Sequence, residues 1–305
     1  MRLGIDLGGT KIASVVLDDD GRAVWERRVA TPRHDYDATL GAIAALVGDA
    51  ERELGSACTV GVGMPGAISP ATGVVKNANS TWLNGRPLRD DLERILARDV
   101  RCANDANCLA VSEAADGAAA GARVVFGVIL GTGVGGGLVV DGASVVGANA
   151  IAGEWGHNPL PWPRDDERPG PRCYCGRSGC IETFLAGPAL AADCVRRGSA
   201  DTDSAAVVRR AAAGDAPAAA SLAAWHDRLA RALASVVNVV DPDVIVVGGG
   251  LSKIASLYAA VPRAWRAWIF SDEVATRLVR AAYGDASGVR GAAWLWPAGG
   301  SVLGS

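Results

Sequence analysis

The sequence lacks any apolar run of the roughly 18 to 20 residues that a membrane-spanning helix requires, although half of its 305 residues are apolar. It also lacks a long run of charge of one sign, since 30 Lys and Arg stand against 33 Asp and Glu. These absences argue against a membrane protein and against binding to nucleic acid through charge alone. The composition predicts a soluble globular chain that is long enough for two domains.

A secretory signal is also missing, because Asp6 interrupts the first apolar stretch and no small-residue cleavage site follows. We therefore expect a cytoplasmic protein, in which structural disulfides are rare. Cysteine and histidine are scarce, with seven and three residues. Four cysteines stand singly in apolar or mixed surroundings, as buried small side chains do; they are Cys58, Cys102, Cys108 and Cys194.

The remaining cysteines cluster in CYCGRSGCIE, downstream of one of the three histidines. His157, Cys173, Cys175 and Cys180 together offer the ligand set of a tetrahedral structural zinc site. A redox pair normally shows C-x-x-C, whereas the spacing here is C-x-C. A disulfide would leave one thiol over. We favour zinc, with unpaired surface thiols as the alternative.

Hydrophobic periodicity predicts the order β-β-β-α-β-α-β-α in the first third of the chain, including helices at 37–54 and 106–120. Near Val124 the pattern begins again with a strand, the glycine turn GTGVGGG at 131–137 and a second strand at 138–140. This repetition predicts an internal structural repeat. A closing helix is expected near the C-terminus.

Two glycine-rich turns, DLGGTK at 6–11 and GTGVGGG at 131–137, are candidates for holding phosphate groups. Glycine permits close backbone approach, and backbone N–H groups and Thr10 supply donors. Plain hairpin turns are the alternative, but the second copy favours a two-sided phosphate clamp. Neither turn is a Walker loop or a dinucleotide fingerprint, so a Rossmann enzyme is disfavoured. VGGG at 247–250 is a weaker candidate of the same kind.

Two further motifs carry candidate polar groups. NDAN at 104–107 places Asp105 between a strand and a helix, where a carboxylate can orient and deprotonate a hydroxyl for phosphoryl transfer. Helix capping is the alternative, and it is the stronger interpretation for Asn104. Glu154 and His157 in GEWGH, with Glu182, could bind sugar hydroxyls; a surface turn with salt bridges is the ordinary alternative.

In order along the chain these motifs read GIDLGGTK, GVGMPGAISP, NDANCLAVSEAADGAAAG, GTGVGGG, GEWGH, CYCGRSGCIE and DPDVIVVGGG. Together they resemble the ROK family of sugar kinases, while KNANSTWLNG, GHNPLPW and SGVRGAAWLWP resemble its bacterial fructokinase (mannofructokinase) branch. The resemblance implies an α/β fold of two ribonuclease-H-like (actin-like ATPase) domains with a central cleft and a zinc-braced insert. It implies a small domain at 1–120, joined by a C-terminal helix at about 290–305, and a larger ATP-binding domain at 121–289 that contains the insert 153–182.

The resemblance also implies roles for individual residues, with Asp105 as the general base and Asp6 holding Mg²⁺ through water. The sugar-binding residues would be Gly66, Asn79, Asn104, Asp105, Glu154, His157 and Glu182. The ATP-binding residues would be Asp6, Gly8, Gly9, Thr10, Lys11, Thr132, Gly133, Gly248 and Gly249. Structural Zn²⁺ would be held by His157, Cys173, Cys175 and Cys180, with the second ring nitrogen of His157 facing the sugar.

The expected function is ATP-dependent phosphorylation of the primary hydroxyl of a free hexose, with fructose favoured. An N-acetylhexosamine kinase and a glucokinase are the alternatives within the family. A sugar-responsive transcriptional regulator is disfavoured, because the phosphate motif begins close to Met1 and leaves no room for a DNA-binding segment. The expected partners are the hexose and ATP, without nucleic acid or membrane, and the expected assembly is a homodimer.

Overall fold

A computed structural model describes residues 1–200 and 203–297. Strands and helices alternate along most of these residues. The strands are β1 (Arg2–Leu7), β2 (Lys11–Leu17), β3 (Ala23–Ala30), β4 (Thr59–Met64), β5 (Ala67–Ile68), β6 (Val75–Lys76), β7 (Val100–Asn104), β8 (Val124–Leu130), β9 (Val134–Val140), β10 (Ala143–Ser144), β11 (Val244–Gly248) and β12 (Arg277–Arg280). The helices are α1 (Tyr36–Leu54), α2 (Leu88–Leu96), α3 (Asp105–Ala115), α4 (Glu182–Leu185), α5 (Gly187–Arg196), α6 (Ser204–Ala212), α7 (Ala216–Val240), α8 (Leu257–Trp265) and α9 (Ser287–Trp294).

Two larger sheets share one plan. The first has the strand order β3-β2-β1-β4-β7, in which β2 is antiparallel to β1 and β3, whereas β4 is parallel to β1 and β7. The second has the order β10-β9-β8-β11-β12, with β11 parallel to β8 and β12. The strand–glycine turn–strand units β1–β2 and β8–β9 occupy corresponding places in the two orders. The predicted repeat is therefore confirmed at the level of strand order.

The chain divides into two compact units. Unit 1 contains Met1–Gly121, Gly137–Ala152 and the described residues from Asp285 onward, and unit 2 contains Ala122–Gly136 and the described residues of Gly153–Gly284. The sequence-based division placed 137–152 in the larger domain. In the structure this segment belongs to unit 1, because β10 packs against α3.

Helix α1 shows how local sequence defines an element of unit 1. The Asp35 carboxylate accepts a hydrogen bond from the Ala38 backbone N–H (2.9 Å) and so caps the first turn. The helix ends before Gly55, which has the left-handed φ of 63° that glycine tolerates. Leu40, Ile43 and other apolar residues at helical spacing are buried in the core beside β1 and β4. The helix predicted at 37–54 is confirmed.

The segment GTGVGGG differs from its prediction as a turn over all of 131–137. The turn occupies the first residues, and β9 begins at Val134, so the later glycines lie in a strand. A Cβ on Gly136 would lie 2.7 Å from Cδ1 of Trp155, and a Cβ on Gly137 would lie 2.5 Å from the carbonyl oxygen of Ala106. These glycines are present because neighbouring groups pack directly against the strand backbone.

The closing helix α9 packs against β1, β4 and α3 of unit 1. The backbone of α9 lies very close to the backbones of α3 and β4. A Cβ on Gly291 would overlap the carbonyl oxygen of Cys108, and a Cβ on Gly61 would overlap the carbonyl oxygen of Ala292. The helix ends at Trp294, ahead of Pro297, whereas the prediction ran from about 290 to 305. The last part of the predicted range, 298–305, lies outside the described residues.

Across residues 1–200 and 203–297, no helix has both the length and the apolar character that crossing a bilayer demands.

We expect Gly291→Ala to lower the free energy of unfolding by about 1–3 kcal/mol, because the added methyl group overlaps the α3 backbone. Gly288→Ala is the matched control in the same helix, since its Cβ would lie 3.7 Å from the nearest atom. That control should be neutral or stabilising, because alanine favours helix by up to about 1 kcal/mol. Urea unfolding of both variants measures the difference, and equal stability would contradict the close packing.

Candidate active site

Parallel pairing in unit 1 brings three predicted segments to one sheet edge. Strands β1, β4 and β7 run in the same direction, with Asp6 beside Gly63 and Met64 beside Asn104. The residues that follow these strands therefore leave the sheet at the same edge. They are the turn after β1, Gly66 after β4 and Asp105 after β7.

Two hydrogen bonds from Thr31 hold the DLGGTK turn in place. The Thr31 hydroxyl donates to the Gly8 carbonyl (2.7 Å), and the Thr31 backbone N–H donates to the Thr10 carbonyl (3.1 Å). Gly9, Thr10 and Lys11 are exposed, whereas Asp6 is half-buried in β1. Burial raises the pKa of Asp6, and the charge of Lys11 partly offsets this rise. The turn thus presents an exposed tip beside a carboxylate.

Asn104 and Asp105 have different surroundings at the start of α3. The Asn104 side chain caps the helix by accepting from the Ala106 backbone N–H (2.9 Å), and its amide donates to the Gly66 carbonyl (3.0 Å). Asp105 is exposed, and its carboxylate also accepts from the Ala106 N–H (2.8 Å). The capping interpretation of Asn104 is confirmed, and it joins the ends of β4 and β7.

Asn79 is exposed in the loop after β6. This loop is held by Asn84, a residue that the sequence analysis did not identify. The Asn84 side chain accepts from the Ala78 N–H (2.9 Å) and donates to the Ala78 carbonyl (2.9 Å). Gly66 has a φ of 74°, and a Cβ there would lie 2.7 Å from the Ala78 nitrogen. The Asn-Gly pair at 84–85 is a turn signal that would have pointed to Asn84.

In unit 2, Glu182 lies against the second glycine turn. Its Oε2 accepts from the Val134 backbone N–H (2.8 Å), and a Cβ on Gly133 would lie 2.7 Å from the same oxygen. Thr132 is exposed in this turn. Glu182 is the first residue of α4 and lies two residues after Cys180, so one carboxylate connects the end of the cluster with the turn.

Glu154 and His157 flank the buried Trp155 in a short 3₁₀ turn. The Trp155 Nε1 donates to the Gly135 carbonyl (3.0 Å), and its ring packs edge-on against Phe126 with centroids 5.9 Å apart. Trp155 thereby fixes the turn, with Glu154 exposed and His157 half-buried. The sequence analysis did not identify Trp155 as a site-shaping residue.

Gly248 is the last residue of strand β11, beside Ile129 of β8, and Gly249 follows the strand. Gly249 has a φ of 80°, and a Cβ there would lie 2.8 Å from the Leu130 carbonyl carbon. Glycine is therefore required at 249 by both conformation and space.

The predicted metal ligands converge in unit 2. The ligand atoms of His157, Cys173, Cys175 and Cys180 all lie within 4.8 Å of one another. The Cys175 and Cys180 sulfur atoms are 3.6 Å apart, far beyond an S–S bond, and all seven cysteines are free. A disulfide is thus absent from the cluster. Three thiols and an imidazole at these distances fit one tetrahedral Zn²⁺.

The two closest thiols differ in acidity. A hydrogen bond from the Arg177 backbone N–H lowers the pKa of Cys175 to about 7, whereas burial raises the pKa of Cys180 to about 12. A bound cation would favour the thiolate form of both.

The two nitrogens of His157 face different groups. Nδ1 lies 3.6 Å from the Cys173 sulfur, on the cluster side. Nε2 lies 2.9 Å from the hydroxyl of Tyr174, and the rings meet edge-on with centroids 5.1 Å apart. Tyr174 was missed, although its place between Cys173 and Cys175 could have marked it as a neighbour of the histidine.

A separate groove of about 680 Å³ lies beside the end of α7 in unit 2, lined by Asn238, Phe270 and Arg277 among others. None of the predicted site residues lines it. The evidence for the candidate site is therefore the arrangement of its side chains, and this groove is not part of it.

Residues 2–298 match the ROK family. The chain belongs to the ROK family. Among its relatives, N-acetyl-D-glucosamine kinase of Escherichia coli O1:K1 is 40% identical over 299 residues, which cover 97% of this chain and 99% of that protein. N-acetyl-D-glucosamine kinase of Salmonella gallinarum matches with the same identity and coverage. These relatives do not support the fructokinase branch to which the sequence motifs pointed.

Solved structures of the family agree with the fold. The ROK hexokinase from Thermus thermophilus has a TM-score of 0.86 at 34% identity and covers 96% of each chain. A ROK family glucokinase from Streptomyces griseus, in complex with glucose and AMPPNP, has a TM-score of 0.76 at 29% identity. The match covers 96% of this chain and 98% of the glucokinase chain. The ROK protein thus has the actin-like ATPase kinase fold with mixed α/β sheets.

Proposed function

We propose that this ROK protein is an ATP-dependent sugar kinase that phosphorylates the primary hydroxyl of N-acetyl-D-glucosamine. The observation that carries the proposal is the 40% identity to N-acetyl-D-glucosamine kinase along 97% of the chain. Glucose is the second candidate substrate, because the structural relative at 29% identity is a glucokinase with bound glucose. Fructose was favoured from sequence motifs alone and has no relative among these to support it.

Asp105 is the proposed general base. Its carboxylate is exposed at the first turn of α3, and the hydrogen bond from the Ala106 N–H fixes its direction. A carboxylate in this position can accept the proton of the sugar hydroxyl as that oxygen attacks the terminal phosphorus of ATP. The Asn104 cap supports this role by holding the start of α3 to Gly66.

The glycine turns are the proposed phosphate-binding elements. Gly8, Gly9, Thr10 and Lys11 form an exposed turn whose backbone is fastened by Thr31, and Thr132 with Gly133 form the second. Oriented backbone N–H groups stabilise phosphate charge without reorganising during the reaction. Gly248 and Gly249 would let the nucleotide lie against backbone.

Mg²⁺ fits the carboxylate of Asp6, which lies half-buried beside the exposed turn. The ion prefers oxygen ligands and keeps several waters, so one carboxylate that reaches it through water suits it. When bound with ATP, Mg²⁺ neutralises charge on the phosphate oxygens.

In unit 1 the proposed sugar-binding residues are Gly66, Asn79 and Asn104. In unit 2 the proposed sugar-binding residues are Glu154, His157 and Glu182. Carboxylate, amide and imidazole groups suit the several hydroxyls of a hexose. Because Tyr174 hydrogen-bonds to Nε2 of His157, the contact between this nitrogen and the sugar requires the hydroxyl of Tyr174 to share or leave that position.

Zn²⁺ is proposed to be structural and to be held by His157, Cys173, Cys175 and Cys180. Four protein ligands leave no open position for a reacting group. The ion would fix His157 and the start of α4, where Glu182 lies.

The substrate assignment is tested by a coupled assay of ADP release with N-acetyl-D-glucosamine, glucose, mannose and fructose. We expect kcat/KM to be highest for N-acetyl-D-glucosamine, because the relatives with 40% identity act on that sugar by name. A preference for fructose would overturn the assignment while leaving the kinase proposal standing. No ADP release with any of the four sugars would contradict both.

We expect Asp105→Asn to lower kcat by about 10²–10⁴-fold, because an amide cannot accept the hydroxyl proton. Sugar affinity, measured by calorimetric titration, should remain close to that of the wild type. Asp99→Asn is the matched control, since Asp99 is an exposed aspartate at the opposite end of β7. Near-normal turnover of Asp105→Asn would remove Asp105 from the reaction.

For the metal, we expect purified protein to hold about one zinc per chain, because the four ligands form one closed tetrahedral site. Cys175→Ser should lose this zinc to a chelator that leaves the wild type loaded, and it should melt at a lower temperature. Cys175 is exposed, so the change itself disturbs little packing; Cys102→Ser, outside the cluster, should keep its zinc. Mass spectrometry of the metal content checks this, and fully active zinc-free protein would refute a structural role.

A further inference from the structure

The segment between His157 and Cys173 is irregular, with a single 3₁₀ turn at Asp165–Glu167. At its base, the Leu160 N–H donates to the Gly179 carbonyl (2.9 Å) and the Ile181 N–H donates to the Asn158 carbonyl (2.9 Å). These bonds tie the base of the segment to the cysteine cluster. The stretch 161–170 needs another source of order, since it has no strand or α-helix.

Arg231 of α7 provides one such attachment. Its side chain is completely buried. Its guanidinium donates to the carbonyls of Pro161 (3.0 Å) and Trp162 (2.8 Å), and also pairs with Glu167 (2.8 Å). It further pairs with Asp227 of its own helix (3.0 Å). A planar guanidinium can satisfy acceptors in several directions at once, which a lysine ammonium cannot do in the same geometry.

Glu167 is the other half of this attachment. It is 5% exposed, and its Oε1 accepts from Nε of Arg228 (2.8 Å) and from Nη2 of Arg231 (2.8 Å). Its Oε2 accepts from the Arg164 backbone N–H (2.9 Å), which closes the 3₁₀ turn. Burial alone would raise the pKa of Glu167, but the hydrogen bonds from Arg231 and Arg228 outweigh it and lower the pKa to about 2. The carboxylate is therefore ionised at neutral pH.

The attachment extends beyond the pair. Arg228 also contacts Asp193 of α5 (3.2 Å), which in turn pairs with Arg197 (2.7 Å). Trp162 stacks on Trp268 with ring centroids 5.1 Å apart. The part of the insert between His157 and Cys173 is thus held to the helices of unit 2 by side chains that lie outside the cysteine cluster.

We propose that Glu167 is a positioning residue for sugar binding, because it anchors the insert to Arg228 and Arg231 of α7 and so holds the segment that begins at His157. Pro161 and Trp162 follow His157 closely in the chain, and their carbonyls are bonded to the same Arg231. The cluster residues His157 and Cys173 hold the two ends of the segment, and this buried ion network holds its middle. The proposal rests on the proposed function for its effect on sugar, and on the structure for the anchoring.

Removing the charge of Glu167 should release the insert. Glu167→Gln keeps the shape of the side chain but leaves two buried guanidinium groups without their shared carboxylate, which is strongly destabilising. Trypsin then reports on the insert, because Arg164 and Arg172 are exposed within it. We expect cleavage after these residues to become faster by about 10-fold or more, since local opening exposes the chain to the protease.

In the same variant we expect the KM for sugar to rise by about 10-fold, with the KM for ATP unchanged and kcat within about 2-fold of the wild type. This split separates positioning from general damage, which would move all three constants together. Glu51→Gln is the matched control in unit 1, where Glu51 pairs with Arg98 and accepts from the Cys58 N–H (2.8 Å). It should lower thermal stability without changing cleavage of the insert or the KM for sugar.

Arg231→Lys is the second variant, for the case in which Glu167→Gln does not fold. It keeps a positive charge beside Glu167 and loses the bonds to the Pro161 and Trp162 carbonyls, so cleavage and the KM for sugar should change in the same direction by a smaller factor. Wild-type cleavage and wild-type KM in Arg231→Lys would overturn the proposal. Faster cleavage with an unchanged KM for sugar would also overturn it, because the anchor would then be structural alone. If the wild type phosphorylates no sugar, the proposed function fails, and the cleavage rates still decide whether Glu167 anchors the insert.

Discussion

The parallel pairing of β1, β4 and β7 is the constraint on which the site in unit 1 depends. Side chains that leave parallel strands at their carboxyl ends meet at one edge of the sheet. The DLGGTK turn, Gly66 and Asp105 are far apart in sequence and share that edge for this reason. The Asn104 amide then ties two of the three strand ends together through the Gly66 carbonyl. The fold thus assembles acid, glycine turn and helix N-terminus before any ligand binds.

Unit 2 has the corresponding strand order, but different residues hold its glycine turn. Its glycine turn is held by Glu182, which lies two residues after Cys180, the last cysteine of the cluster. In the proposed zinc-bound protein the cluster would position His157 and Glu182 and would take no part in the reaction itself. The buried ion network around Glu167 holds the middle of the same insert. The proposed metal ligation and the buried ion pairs are different kinds of interaction, and together they would hold one irregular segment that has little regular backbone bonding of its own.

Much of this arrangement could be read from local sequence. Asp35 and Gly55 mark the ends of α1 because capping and left-handed conformations depend on neighbouring residues alone. The cysteine spacing predicted that His157, Cys173, Cys175 and Cys180 lie together, and the structure confirms that they do. The glycine turns were found, but the extent of the second was wrong: strand and turn glycines look alike until packing partners such as Trp155 are known. The preference for fructose found no support among the relatives, because the motifs report on phosphate and metal chemistry more than on the sugar pocket.

The sequence by itself determined most of the elements, the places of the glycine turns, the candidate metal ligands and the family, because each of these depends on residue type and short-range spacing. The tertiary structure alone decided which distant groups meet. Arg231 and Glu167 are 64 residues apart, and charged residues on a long helix resemble a solvated face until the partner is seen. The close packing of Gly291 on the backbone of Cys108 is likewise decided by the tertiary structure. Such contacts have no local signal, since their free energy arises only when the folded chain excludes water from both partners.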